Sequence, residues 1–108
     1  MAVNSRRKGA VAERQVAHIL QDAGLVARRG QQFRGGPDSP DVICESLPGL
    51  HIEVKSRQQH NIWQWMTQAA ADMDKGETPI VWVKRPREPW LVVMRADDWV
   101  EWARDRCV

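Results

Sequence analysis

The most constraining stretch of the chain is Leu50-His51-Ile52-Glu53-Val54-Lys55, in which three aliphatic residues alternate with three polar ones. That period of two belongs to a β-strand with one face on a core and the other open to polar contacts. Leu47-Pro48-Gly49, just upstream, has turn composition. Asp41 to Glu45 enters another strand through Val42 and Ile43. A hairpin at the turn would lay these two strands side by side. Any fold for this chain must accommodate that sheet.

The flanking segments supply the rest. Asn4 or Ser5 is placed to cap a helix running to about Ala23 and stopping at Gly24, with Ala12, Val16, Ile19, Leu20 and Ala23 on one apolar stripe. Leu25 to Arg29 is a short strand candidate, and Gly30 to Pro40 an irregular loop punctuated by Gly35-Gly36-Pro37 and Ser39-Pro40. Asn61 starts a second helix to about Lys75, with Ile62, Met66, Ala69, Ala70 and Met73 on its stripe and Gly76 as its stop. Pro79 to Lys84 and Trp90 to Arg95 read as strands joined through Arg85–Pro89, and Asp97 or Asp98 as the cap of a last helix carrying Trp99, Val100 and Trp102. The order α-β-β-β-α-β-β-α predicts an α/β (α+β) fold, a central mixed β-sheet flanked by helices. At 108 residues it is read as one domain, 1–108.

Composition narrows the class. With 43% hydrophobic and 28% charged residues the chain is neither disordered nor membrane-spanning, and Met1 to Ala10 lacks the apolar run of a signal peptide. Cys44 and Cys107 are too few for a disulfide scaffold, so a cytoplasmic protein with reduced thiols is expected. Charge is unevenly placed. Residues 1–36 carry seven basic residues (Arg6, Arg7, Lys8, Arg14, Arg28, Arg29, Arg34) against Glu13 and Asp22, which is +5. Residues 37–108 carry nine basic and twelve acidic residues, which is −3. A basic N-terminal third suits contact with nucleic-acid phosphates, although a solvated charged face fits as well.

The polar face of the Leu50–Lys55 strand carries the chemistry. Glu53 and Lys55 are two apart, so their side chains leave one face roughly 6.7 Å from each other along the strand. A carboxylate binds Mg²⁺, and a neighbouring ammonium can orient an attacking water, a combination suited to phosphodiester hydrolysis. One carboxylate makes a poor Mg²⁺ site. Asp41, at the start of the neighbouring strand, is the candidate second acid, with Asp38 as its rival, and Glu13 beside the apolar stripe of the first helix is the third. Taken singly, each has a plainer reading: Glu-x-Lys as a surface pair, Asp41 as a loop terminus, Glu13 as a solvated helix residue.

Jointly, the pattern resembles the PD-(D/E)xK nuclease superfamily and, within it, the archaeal-type Holliday junction resolvases. The residues that carry the resemblance are Arg7-Lys8-Gly9, Glu13-Arg14, Gly24-Leu25-Val26, Arg28-Arg29, the Gly- and Ser-containing loop, Pro40-Asp41-Val42-Ile43 and Ile52-Glu53-Val54-Lys55-Ser56-Arg57, spanning roughly residues 5–85. The resemblance implies a restriction-endonuclease-like core. It makes Glu13, Asp41 and Glu53 metal-binding carboxylates and Lys55 the catalytic lysine. It further implies Mg²⁺ as cofactor, with Mn²⁺ substituting, a homodimer, and paired nicks in branched or double-stranded DNA that leave a 5′-phosphate and a 3′-hydroxyl. Arg6, Arg7, Lys8, Arg28, Arg29, Arg34 and Arg57 are the expected phosphate contacts, positioning DNA without reading bases. Alternatives are a flap-, end- or duplex-nicking relative, or a non-catalytic DNA-binding protein of the same fold. The small size and basic N-terminal third suit a phage or mobile-element enzyme.

Outside that set, Trp82, Trp99 and Trp102 fit packing in a core or a dimer. Trp63 and Trp65, two apart on a helix, cannot both face the core. His51 shares the polar face with Glu53, where a passive surface histidine is the ordinary reading. Gln68 resembles a polar residue that some superfamily members place near the site, and a solvent-facing Gln fits equally. His18 and His60 belong to no pattern. Cys44 reads as a small buried side chain.

Overall fold

The computed structural model describes residues 2–30 and 39–108, with side chains from Lys8 onward. Arg34 and Asp38, and the side chains of Arg6 and Arg7, therefore lie outside the described residues. The elements follow the expected order: α1 (Ala2–Asp22), β1 (Ala27–Arg29), β2 (Val42–Cys44), β3 (Leu50–Ser56), α2 (Ile62–Asp72), β4 (Thr78–Lys84), β5 (Leu91–Met94) and α3 (Ala96–Arg104). The five strands form one sheet in sequence order. β1, β2 and β3 pair antiparallel, β3 and β4 parallel across the α2 crossover, and β4 and β5 antiparallel.

Alternation along the strands divides the sheet into two faces with separate cores. On one face Ile52 and Val54 of β3 pack with Val42 and Cys44 of β2, Ala27 of β1, and Ala12, Val16 and Leu20 of α1. On the other, Val81 and Val83 of β4 pack with Ala69, Trp65 and Met66 of α2 and Val93 of β5. Glu53 pairs with Val81 and Lys55 with Val83, so the polar residues of β3 share the α2 face. Because α2 packs mainly over β4, the β2–β3 part of that face remains for the site.

Local chemistry accounts for the element ends. Gly24, with φ of 89°, takes the left-handed conformation that closes α1, and Leu25 N–H returns to the Leu20 carbonyl at 3.0 Å. The α1 stripe runs through Ala12, Val16, Ala17 and Leu20; Ile19, expected on it, falls on the flank and is exposed. Asn61 caps α2 as expected, its Oδ1 accepting from Gln64 N–H at 3.2 Å. The helix ends at Asp72 rather than Lys75, because Met73 turns to extended backbone to lead the chain into β4. At α3 the expected caps, Asp97 and Asp98, lie inside the first turn and Arg95 occupies the cap position. Their charges still complement the helix N-terminus, and Asp98 also accepts from Arg95 Nε at 2.9 Å.

The tryptophans separate. Trp65 packs while Trp63 is 83% exposed, and Trp82 lies against Trp90 with ring centres 6.4 Å apart. Trp99 and Trp102 are 54% and 47% exposed, so a packed position within this protomer does not describe them. They line a groove with Val92, Met94 and Trp82.

A close backbone approach fixes the start of β2. Gly30 N–H donates to the Asp41 carbonyl at 2.7 Å, and a methyl group on Gly30 would overlap the Pro40 carbonyl. Gly30→Ala must therefore displace Pro40 and Asp41. We expect it to lower stability by about 1–3 kcal/mol, measured by urea unfolding; an unchanged midpoint would show that the approach is not tight.

Candidate active site

β2 is shorter than β3, and that mismatch builds the site. Val42 pairs with Ile52, and Asp41 N–H donates to the Ile52 carbonyl at 2.9 Å. One step further the β2 backbone no longer bonds to β3, and the Asp41 side chain takes over: its Oδ2 accepts from Val54 N–H at 2.8 Å. The carboxylate thus sits in the fork where the strands part, with its orientation fixed by a backbone donor.

Glu53 meets it there. The Asp41 and Glu53 carboxyl groups are hydrogen-bonded to each other, and the Glu13 carboxylate is near enough for its charge to be felt. Burial, then the Glu53 charge, raise the Asp41 pKa from its ordinary 3.8 to about 7 against the opposing pull of the Val54 N–H. Two carboxylates this close cannot both ionise cheaply, so Asp41 holds its proton more tightly than a free aspartate does. Lys55 follows two positions along β3, half-buried on the same face.

Glu13 is engaged elsewhere. Arg29 Nε and Nη2 donate to its Oε1 at 3.1 and 3.0 Å, joining α1 to β1 in a part-buried pair. Among the described residues no group of three His, Cys, Asp or Glu side chains stands ready to hold a metal ion. The arrangement is two adjoining carboxylates with a third tied to an arginine. Arg29, read from sequence as a phosphate contact, is the partner of Glu13, and Arg28 lies 3.5 Å from Glu45.

Sequence reasoning undervalued His51. It is 1% exposed, and its Nε2 lies 2.8 Å from Glu53 Oε1, with Nδ1 3.9 Å from Glu77. Burial works against its charge, yet the Glu53 hydrogen bond and charge, aided by Glu77 and Asp72, leave its pKa raised. The signal was available in the strand period, which puts His51 and Glu53 on one face; its weight depended on burial that the sequence does not display. Gln68, in contrast, is exposed and bonded to Asp72.

The donor set suits a hard divalent cation. All contacts on offer are carboxylate oxygens, and Mg²⁺ is typically held by one or two carboxylates, with waters and phosphate oxygens completing its shell. The crowding of Asp41 against Glu53 marks where positive charge is wanted. Asp41 and Glu53 could hold such an ion, with Glu13 joining if it leaves Arg29.

A five-stranded mixed sheet with acids in the fork of two strands and a lysine beside them is the architecture of a PD-(D/E)xK nuclease. The chain belongs to a family within it: residues 4–107 match the model for "Phage putative PDDEXK endonuclease". Among solved structures it is similar to Archaeoglobus fulgidus Hjc, a Holliday junction resolvase from an archaeal hyperthermophile. The two share 28% identity with a TM-score of 0.55, over 81% of this chain and 72% of that one. No curated protein matches the sequence. The nuclease resemblance and the mixed-sheet fold read from the sequence are both borne out.

The Asp41 shift sets a pH dependence. Its folded pKa lies above the unfolded value, so in metal-free protein the native state holds the extra proton between about pH 4 and 7. The resulting stabilisation is complete below the unfolded pKa and is lost as pH rises through the folded one. Urea unfolding in EDTA should show stability falling across that window, and Asp41→Asn should flatten the fall. An identical slope in the variant would place the titrating proton on another group.

Proposed function

We propose that the protein is a Mg²⁺-dependent endodeoxyribonuclease that resolves branched DNA by paired nicks, acting as a homodimer in the cytoplasm. The observation that carries the reading is the Asp41–Glu53 carboxylate pair with Lys55 next on the strand. The likeness to a Holliday junction resolvase, at 28% identity, favours branched DNA over other substrates. No helix among the described residues is long and apolar enough to cross a membrane. The half-exposed Trp99 and Trp102 beside an apolar groove favour a second copy as partner.

A divalent cation bound here would neutralise charge building on the scissile phosphate and lower the pKa of a bound water. The chain supplies the rest. Asp41, fixed by Val54 N–H, and Glu53 would hold that ion. Lys55 directs its ammonium at the attacking water or the non-bridging oxygens and screens the charge that develops there. Arg29 holds the Glu13 carboxylate in place at the rim.

DNA needs a basic path to that point. A cleft of about 420 Å³ at the end of β3 is lined by Lys8, Gln15, Ser56, Arg57, Gln58 and Lys84, with no carboxylate among its described lining residues. Arg57 N–H is bonded to the Lys84 carbonyl at 2.9 Å, which holds the two basic residues on adjacent strand ends. Such a cleft grips phosphates without reading bases, and it gives the Arg85–Pro89 connection a role as its wall through Pro86.

The deciding experiment incubates purified protein with labelled four-way junction, flap and linear duplex in Mg²⁺, Mn²⁺ or EDTA. Symmetric metal-dependent nicks in the junction are expected. Cleavage of flap or duplex alone would point to another nuclease of the same superfamily, and tight binding without cleavage to a DNA-binding protein. Lys55→Ala and Asp41→Asn should each abolish cleavage and leave junction binding within a few-fold of wild type; wild-type rates in either would misassign the site.

The cleft has its own test. Arg57→Ala with Lys84→Ala should weaken binding to all DNA sequences alike and reduce the slope of log K against log salt by about 2. An unchanged slope would take both residues off the DNA surface.

A further inference from the structure

His51 is fully buried in the protein, yet among the described residues its short hydrogen bond runs to a side chain of the candidate active site rather than to structural backbone. Residues two apart on a strand leave the same face, so the imidazole and the Glu53 carboxylate stand in line along β3. At 2.8 Å from Oε1, the ring in its Nε2–H form donates a hydrogen bond to the Glu53 carboxyl oxygen. Glu53 is thereby held from two directions, by His51 along its own strand and by Asp41 across the fork. Asp41 is itself anchored by Val54 N–H. A glutamate has three rotatable side-chain bonds, and a ligand left to sample them would bind a cation weakly. On the far side of the ring, Glu77 Oε1 lies 3.9 Å from Nδ1 and is itself held at 2.8 Å by Asp74 N–H.

We propose that His51 is a positioning residue, fixing the Glu53 carboxylate as a ligand for a divalent cation through its Nε2–H. The proposal rests on the nuclease reading, and it concerns metal affinity rather than the cleavage step. Partners that orient metal-binding side chains typically account for about 10–100-fold in affinity or activity.

The test measures Mg²⁺ and Mn²⁺ binding to the DNA-free protein by calorimetry, alongside cleavage as a function of metal concentration. It compares wild type, His51→Phe and His51→Gln. Phenylalanine fills the space without a donor; the glutamine amide restores an N–H at a similar reach. His51→Phe should bind metal about 10–100-fold more weakly and need correspondingly more metal for half-maximal cleavage. Its rate at saturating metal should stay within a few-fold of wild type, and His51→Gln should recover most of the loss. A folded His51→Phe with wild-type metal affinity, or with a lowered saturated rate and unchanged metal requirement, would overturn the proposal.

Should the phenylalanine variant not fold, ¹⁵N spectra of the wild-type imidazole decide. His51 nitrogen resonances that move with Mg²⁺ at the calorimetric midpoint support the role, and resonances that stay fixed reject it. A wild type that cuts DNA yet gives the negative result removes His51 alone; a wild type that binds no divalent cation removes the nuclease reading as well.

Discussion

The single hydrogen bond from Val54 N–H to Asp41 Oδ2 organises this protein. β3 outlasts β2, and a strand left with an unpaired N–H beside a partly buried fork needs an acceptor. Asp41 supplies it from the position just before β2 begins. In meeting that need the side chain is brought against Glu53, and the crowding of two acids follows from the strand lengths alone. The sheet thus generates its own anionic site by a mismatch of length rather than by a specialised loop.

Crowding has an electrostatic sequel. Burial and the neighbouring carboxylate make Asp41 reluctant to ionise, while Arg29 compensates Glu13 and His51 compensates Glu53. Each acid therefore has a distinct counterpart: a backbone N–H, an imidazole and a guanidinium. Only one of these is a permanent full charge. The set as a whole stays short of positive charge at the centre, which is the condition under which a doubly charged ion competes well with a proton.

Much of this was legible from the residues. The alternation in Leu50–Lys55, the turn at Leu47–Gly49 and the acid at the head of the preceding strand give the antiparallel pairing and the meeting of Asp41 with Glu53. The order of helices and strands and the mixed sheet also follow from pattern, whereas the parallel pairing of β3 with β4 came from the structure. What escaped depends on three-dimensional depth. His51 looks like any polar-face residue until the sheet face around it is covered, and Arg29 looks like a free cation until α1 brings Glu13 across. α2 stops three residues early because Met73 turns into the path toward β4, and α3 starts two or three residues early because Arg95, which leaves β5, takes the cap position without a side-chain cap. Trp99 and Trp102 have the spacing of a packed face, but nothing among the described residues covers them fully.

The hydrogen bond between Gly30 N–H and the Asp41 carbonyl has a further consequence. It pinches the chain at both ends of the 31–40 segment, so the acid is located from the sheet side and not through the intervening residues. The place of this carboxylate is thus a property of the sheet itself, set by backbone contacts at Gly30, Ile52 and Val54.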